Sequence, residues 1–82
     1  MVETMELITV KPALGGWLVA CEGRTHSQAF QSGATAEAAA RQLGEAIARG
    51  GRPAEIRIFL RDGSLAGRFA CAPSGSPARR VG

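Results

Sequence analysis

The sequence predicts an α+β domain: an antiparallel sheet of four to five strands with one helix packed on one face, in the order β-β-(β)-α-β-β. Three observations predict it. From about Thr35 to Arg49, the residues Ala36, Ala39, Ala40, Leu43 and Ile47 recur at helical spacing and form one apolar stripe. Runs on both sides of that segment alternate apolar and polar with the period of a strand. Two of those runs are separated by Asp62-Gly63, the pair that two-residue hairpin loops favour.

In the first run, Ile8 and Val10 share one face while Leu7, Thr9 and Lys11 share the other. Pro12 is expected to end this strand, because proline has no N–H to give a ladder, and the segment Pro12-Ala13-Leu14-Gly15-Gly16 supplies the turn. Alternation resumes with Trp17, Val19 and Cys21 opposed to Leu18, Ala20 and Glu22, so the two runs read as a hairpin. The polar stretch after Gly23 reads as a loop leading into a short third strand around Ser27 to Gln31, with Phe30 turned to the core.

Thr35 is the expected N-cap of the helix, with Glu37 in the first turn favoured by the helix dipole. Glu37, Arg41, Glu45 and Arg49 alternate in sign at four-residue steps, a solvated stripe worth about 0.2–0.5 kcal/mol per pair. Gly50 and Gly51 can take the left-handed conformation that ends a helix, and Pro53 blocks its continuation. An apolar stripe so rich in alanine implies that helix and sheet approach closely.

In the run Ala54 to Arg61, Ile56, Ile58 and Leu60 face one way, and Glu55, Arg57, Phe59 and Arg61 the other. A two-residue loop at Asp62-Gly63 sets Arg61 opposite Ser64, Leu60 opposite Leu65, Ile58 opposite Gly67 and Ile56 opposite Phe69. This register assigns Ile56, Ile58, Leu60, Leu65 and Phe69 to the core, where truncating Leu60 to alanine would cost about 2–5 kcal/mol.

Composition sets the outer limits. Eighty-two residues make one domain at most, and 45% hydrophobic with 21% charged is the balance of a folding chain, not of a disordered one. Residues 1–71 are expected to form that domain, and 72–82, rich in Pro, Ser, Gly and Arg, a disordered tail. The net charge of +3 invites a nucleic-acid partner, yet setting Arg79 and Arg80 aside leaves 8 basic against 7 acidic side chains, so the folded part is nearly balanced. No apolar run reaches the length of a membrane span and no leader pattern opens the chain, which predicts a cytoplasmic protein in which Cys21 and Cys71 are thiols.

The order of short motifs, Gly16-Trp17-x-Val19, Glu22-Gly23, an aromatic at Phe30, an alanine-rich helix from Thr35, then Arg61-Asp62-Gly63, resembles a bacterial family catalogued as domain of unknown function 2188 over about residues 8 to 70. That resemblance implies a small, mostly stand-alone protein with no established activity. From Gly16 to Ile47 the chain is also similar to the N-terminal half of HicB-type antitoxins, through Gly-Trp-x-Val, Gly33-Ala-Thr-Ala-Glu-Ala-Ala and Glu45-Ala-Ile47. This second resemblance implies binding to a small protein toxin. No DNA-binding C-terminal extension like that of those proteins is read in residues 48–82, so a repressor function is not expected.

Cys21, Cys71 and His26 are too scattered for a metal site; the cysteines fall on core faces and His26 among polar loop residues. No nucleophile is paired with a base, and the glycine pairs lack phosphate-binding spacing, so the sequence reads as non-enzymatic and without a cofactor. What remains is the sheet face away from the helix, where Leu7, Leu18, Arg57, Phe59, Arg61 and Arg68 form the candidate interaction face. Its leucines point to a homodimer or small protein partner. The alternative is single-stranded RNA held by the arginines around Phe59.

Overall fold

The computed structural model describes residues 5–73. It is an α+β domain with strands β1 (Glu6–Ala13), β2 (Gly16–Cys21), β3 (Ser27–Phe30), helix α1 (Gly33–Arg49), β4 (Ala54–Phe59) and β5 (Leu65–Cys71). Nearly all of the expected 72–82 tail lies outside the described residues.

All five strands form one sheet in the order β3-β2-β1-β4-β5. The sheet is mixed, which corrects the expectation of an antiparallel one: β4 lies beside β1 in parallel, with Ile8 opposite Ile56 and Val10 opposite Ile58. After α1 crosses the sheet the chain returns at the same end at which β1 begins, and Glu6 N–H donates to Pro53 O at 3.0 Å to start the ladder. Two hairpins therefore meet along their first strands. Single-sequence periodicity carries no information on which strands become neighbours.

Pro12 does not end β1. The strand continues to Ala13, with Pro12 opposite Trp17, because the β1–β4 pairing stops at Val10 and leaves one side of residue 12 without a ladder. The turn is Leu14-Gly15, with Gly15 at φ +80°.

Helix α1 starts two residues earlier than expected, and its N-cap is Ser32, not Thr35. The Thr35 N–H donates to Ser32 Oγ at 3.1 Å, the reach of an N-cap side chain to the third helical position. Glu37 is thereby moved beyond the first turn. At the other end Gly51 N–H donates to Ala48 O and Arg52 N–H to Ile47 O, with Gly51 at φ +98°, a Schellman closure in which a left-handed glycine satisfies the last carbonyls.

The helix buries Ala36, Ala40, Gly44 and Ala48 at four-residue intervals, while Ala39 and Ile47 are half-buried and Leu43 is exposed, a correction to the expected stripe. A seam this small lets the backbones approach: a Cβ at Gly44 would lie 2.8 Å from Cys71 Sγ and 3.3 Å from Ile56 Cδ1. Against the seam pack Ile8, Val10, Val19, Cys21, Ala54 and Ile56, flanked by Trp17, Phe30, Ile58 and Phe69. Of the outer stripe, Arg41 pairs with Glu37 at 2.9 Å and also lies 4.1 Å from the centre of the Phe69 ring, so it covers the core edge as well as facing water.

The second hairpin departs most from expectation. Ile56 opposes Phe69 and Ile58 opposes Gly67, but an irregularity between Ile58 and Phe59 then sets Phe59 opposite Leu65. Leu60 N–H donates to Ser64 O at 2.8 Å and Gly63 N–H to Leu60 O at 2.9 Å, so the loop has three residues, with Gly63 at φ +90°. Arg61 accordingly does not oppose Ser64. Leu60 and Leu65, expected in the core, are 48% and 46% exposed.

Candidate interaction face

Successive strand residues point to opposite faces, so burying Ile8, Val10, Val19, Cys21 and Ile56 under α1 sends their neighbours to a face that no described element covers. Three rows cross it. Leu7 lies between Glu22 and Glu55, the latter backed by Ala70. Thr9 lies between Ala20 and Arg57, with Arg68 beyond. Lys11 opposes Leu18, which opposes Ala29.

Leu7, Leu18, Arg57 and Phe59 are half-buried, and Arg61 and Arg68 are exposed. The first four come together on one surface. Arg68 joins them at the β5 edge, and Arg61 stands in the loop at one end. Arg57 and Arg68 are directly opposed, a repulsive arrangement in water, but Glu55 lies between them: its Oε2 is 2.8 Å from Arg57 Nε and 3.5 Å from Arg68 Nε. The hydrogen bond from Arg57, then the positive charge of both arginines, holds the Glu55 carboxyl below its ordinary value against an opposing contribution from desolvation. Glu55 thus offsets one of the two positive charges that Arg57 and Arg68 bring to the β4–β5 side of this face.

Where the face meets the second hairpin, Thr9, Lys11, Pro12, Phe59, Leu60, Arg61 and Gly63 line a depression of about 460 Å³. Of these, only Phe59 and Arg61 belong to the face expected from sequence; Thr9, Lys11, Pro12, Leu60 and Gly63 do not. Lys11 joins Phe59 only because β1 and β4 are parallel neighbours. Leu60 joins it because it lies past the end of β4, where it closes the three-residue loop through Ser64 O. Neither strand order nor the bulge has a local signature in this sequence.

On the helix side, Cys21 Sγ donates to Glu6 Oε1 at 3.3 Å, and Glu6 also pairs with Arg52. Burial, then the contact with Glu6, pushes the Cys21 thiol up, which leaves it a poor nucleophile. His26 lines a cleft that also takes in Cys21, with Val19, Arg24, Ser27, Gln28 and Leu43. Among the described residues no three His, Cys, Asp or Glu side chains come together as a metal-holding group, and no helix is long and apolar enough to cross a membrane.

Fold and face together define a one-helix, five-strand mixed α+β domain with one side of its sheet uncovered among the described residues. No family model, curated protein or solved structure matches the chain.

Proposed function

We propose that the chain is a non-enzymatic protein-interaction domain that takes its partner on the open sheet face. One observation carries this reading: Leu7, Leu18, Ala20 and Phe59 lie on the side of the sheet left uncovered among the described residues and run on to the exposed Leu60 and Leu65, while Arg57 and Arg68, toward the β5 edge, are paired with Glu55. An apolar surface of this kind gains free energy when a second apolar surface removes it from water.

Single-stranded RNA is the weaker reading. Nucleic acids are held first through rows of phosphates, whereas the cations of this face are few: Arg57 and Arg68 share Glu55, and Lys11 and Arg61 stand beside Phe59. The resemblance of residues 16–47 to proteins that bind a small toxin supports the protein reading. A cytoplasmic setting, in which Cys21 and Cys71 stay reduced, is consistent with both cysteines being free.

The test is a photo-reactive amino acid placed at Ala20, on the open face, and at Gln42, on the outer side of α1, each in the intact chain in its native cell. A discrete cross-linked product from position 20 and none from 42 is the expected result; its mass distinguishes a second copy from a different protein. Equal products from both positions, or none from position 20, would overturn the proposal.

A further inference from the structure

The depression beside the second hairpin differs chemically from the rest of the open face. Its walls are apolar, from Phe59, Leu60 and Pro12, and its charged side chains, Lys11 and Arg61, are both cations. No carboxylate lines it, and neither cation takes part in an ion pair among the described residues, in contrast to Arg41, Arg52, Arg57 and Arg68. The acid nearest in sequence, Asp62, is engaged within its own loop: Oδ1 accepts from Ser64 N–H at 2.9 Å and from Ser64 Oγ at 2.6 Å. Asp62 keeps its negative charge but forms no ion pair with Arg61 among the described residues. The backbone supplies an independent observation. The three-residue loop, closed by Leu60 N–H on Ser64 O, leaves Leu60 beyond the end of β4 and in the lining with Phe59 and Arg61, and the extra β5 residue, Ala66, sets Leu65 opposite Phe59. Bulges are over-represented at sheet edges such as β5 and next to functional sites, where they re-aim a side chain.

Resting on the protein-binding reading, we infer that this depression is the specificity pocket of the face, and that it receives an apolar side chain carried next to a carboxylate in an acidic segment of the partner. The volume of about 460 Å³ lies within the roughly 300–1,000 Å³ of clefts that seat a compact ligand. The apolar side chain would be desolvated against Phe59, Leu60 and Pro12, and the carboxylate would meet the ammonium of Lys11 and the guanidinium fork of Arg61. The charges fit an acidic peptide better than a polyanion: two unpaired cations suffice for one carboxylate, whereas a nucleic-acid backbone needs a row of them.

The experiment titrates the full-length, isotope-labelled protein by NMR with three short acetylated and amidated peptides, alternating Leu and Glu, Leu and Lys, or Ser and Glu, and with a mixed-sequence single-stranded RNA of similar length. The expected result is that the Leu/Glu peptide shifts the amides of Thr9, Lys11, Phe59, Leu60 and Gly63, binds more weakly as salt is raised, and outcompetes the other three ligands. Lys11→Glu and Arg61→Glu, both at exposed positions, should each weaken it by roughly tenfold while leaving the thermal melt unchanged. The inference is overturned if Leu/Glu and Leu/Lys peptides bind alike, if none binds at millimolar concentration, if the charge reversals have no effect, or if RNA binds more tightly at the same amides. A failure here with cross-linking at Ala20 intact would remove the pocket and leave the interaction face standing; loss of both would remove the face itself.

Discussion

Arg57 and Arg68 stand directly across from each other on adjacent strands, and a single carboxylate, that of Glu55, accounts for their being tolerated there. Glu55 Oε2 receives both guanidinium groups, while its side chain is only 15% exposed. The relationship joins β4 to the edge strand β5 on the open face.

Glu55→Gln should lower the melting temperature at low salt, with the difference shrinking as added salt screens the two arginines. The effect also has a pH signature. Because the folded-state pKa of Glu55 is depressed below its ordinary value of 4.5, its stabilisation is present above that value and is lost as pH falls through the lower, folded-state one. Asp62, depressed by Ser64, and Glu6, depressed chiefly by the Cys21 thiol and also by Arg52, act in the same direction. Thermal melts from neutral pH downward should therefore show stability falling below about pH 4.5, with a shallower fall in Glu55→Gln.

The close approach of α1 to the sheet predicts a coupling between Gly44 and Cys71. Alanine at 44 would gain nearly 1 kcal/mol of helix propensity but place its Cβ against Sγ, and overpacking of that kind costs about 1–3 kcal/mol. Urea denaturation of Gly44→Ala should show a net loss of about 1 kcal/mol. In a Cys71→Ala background the same substitution should be neutral or stabilising, and a loss undiminished there would place the clash elsewhere.

The three-residue loop predicts opposite outcomes for two apolar residues of β4 and its end. Ile56 is fully buried, so Ile56→Ala should cost about 2–5 kcal/mol by denaturant melt. Leu60 is 48% exposed, so Leu60→Ala should stay within about 0.5 kcal/mol of the parent. Comparable losses at both positions would restore the two-residue register.

Helix α1 should depend more on Ser32 than on Thr35. Ser32→Ala removes the oxygen that accepts the Thr35 N–H and should cost about 1 kcal/mol in a thermal melt. Thr35→Ala leaves that bond in place and should cost less. The reverse order would make Thr35 the cap.

Much of this fold is legible in local pattern. The alternation at Ile8-Val10, Trp17-Val19-Cys21 and Ile56-Ile58 places those residues under the helix, because a strand whose faces differ in polarity has one low-energy orientation against a core. Ala36 and Ala40 announce a close helix contact in the same way. The opposed Arg57 and Arg68 also follow from register alone, since the ladder is regular from Ala54 to Ile58.

The sequence by itself determined the element types, the face each strand residue takes up to Ile58, and the existence of a second, uncovered side bearing Leu7, Leu18, Arg57 and Phe59. These depend on interactions within a few residues along the chain or across one tight turn. Only the tertiary structure decided that β4 runs parallel beside β1, that Leu60 and Leu65 leave the core, and that Lys11, Phe59 and Arg61 share one depression. Strand order depends on which hairpin edge the crossing helix delivers β4 to, and a bulge trades one ladder step for a better turn. Both are balances between distant parts of the chain, and neither leaves a period in the sequence to be read.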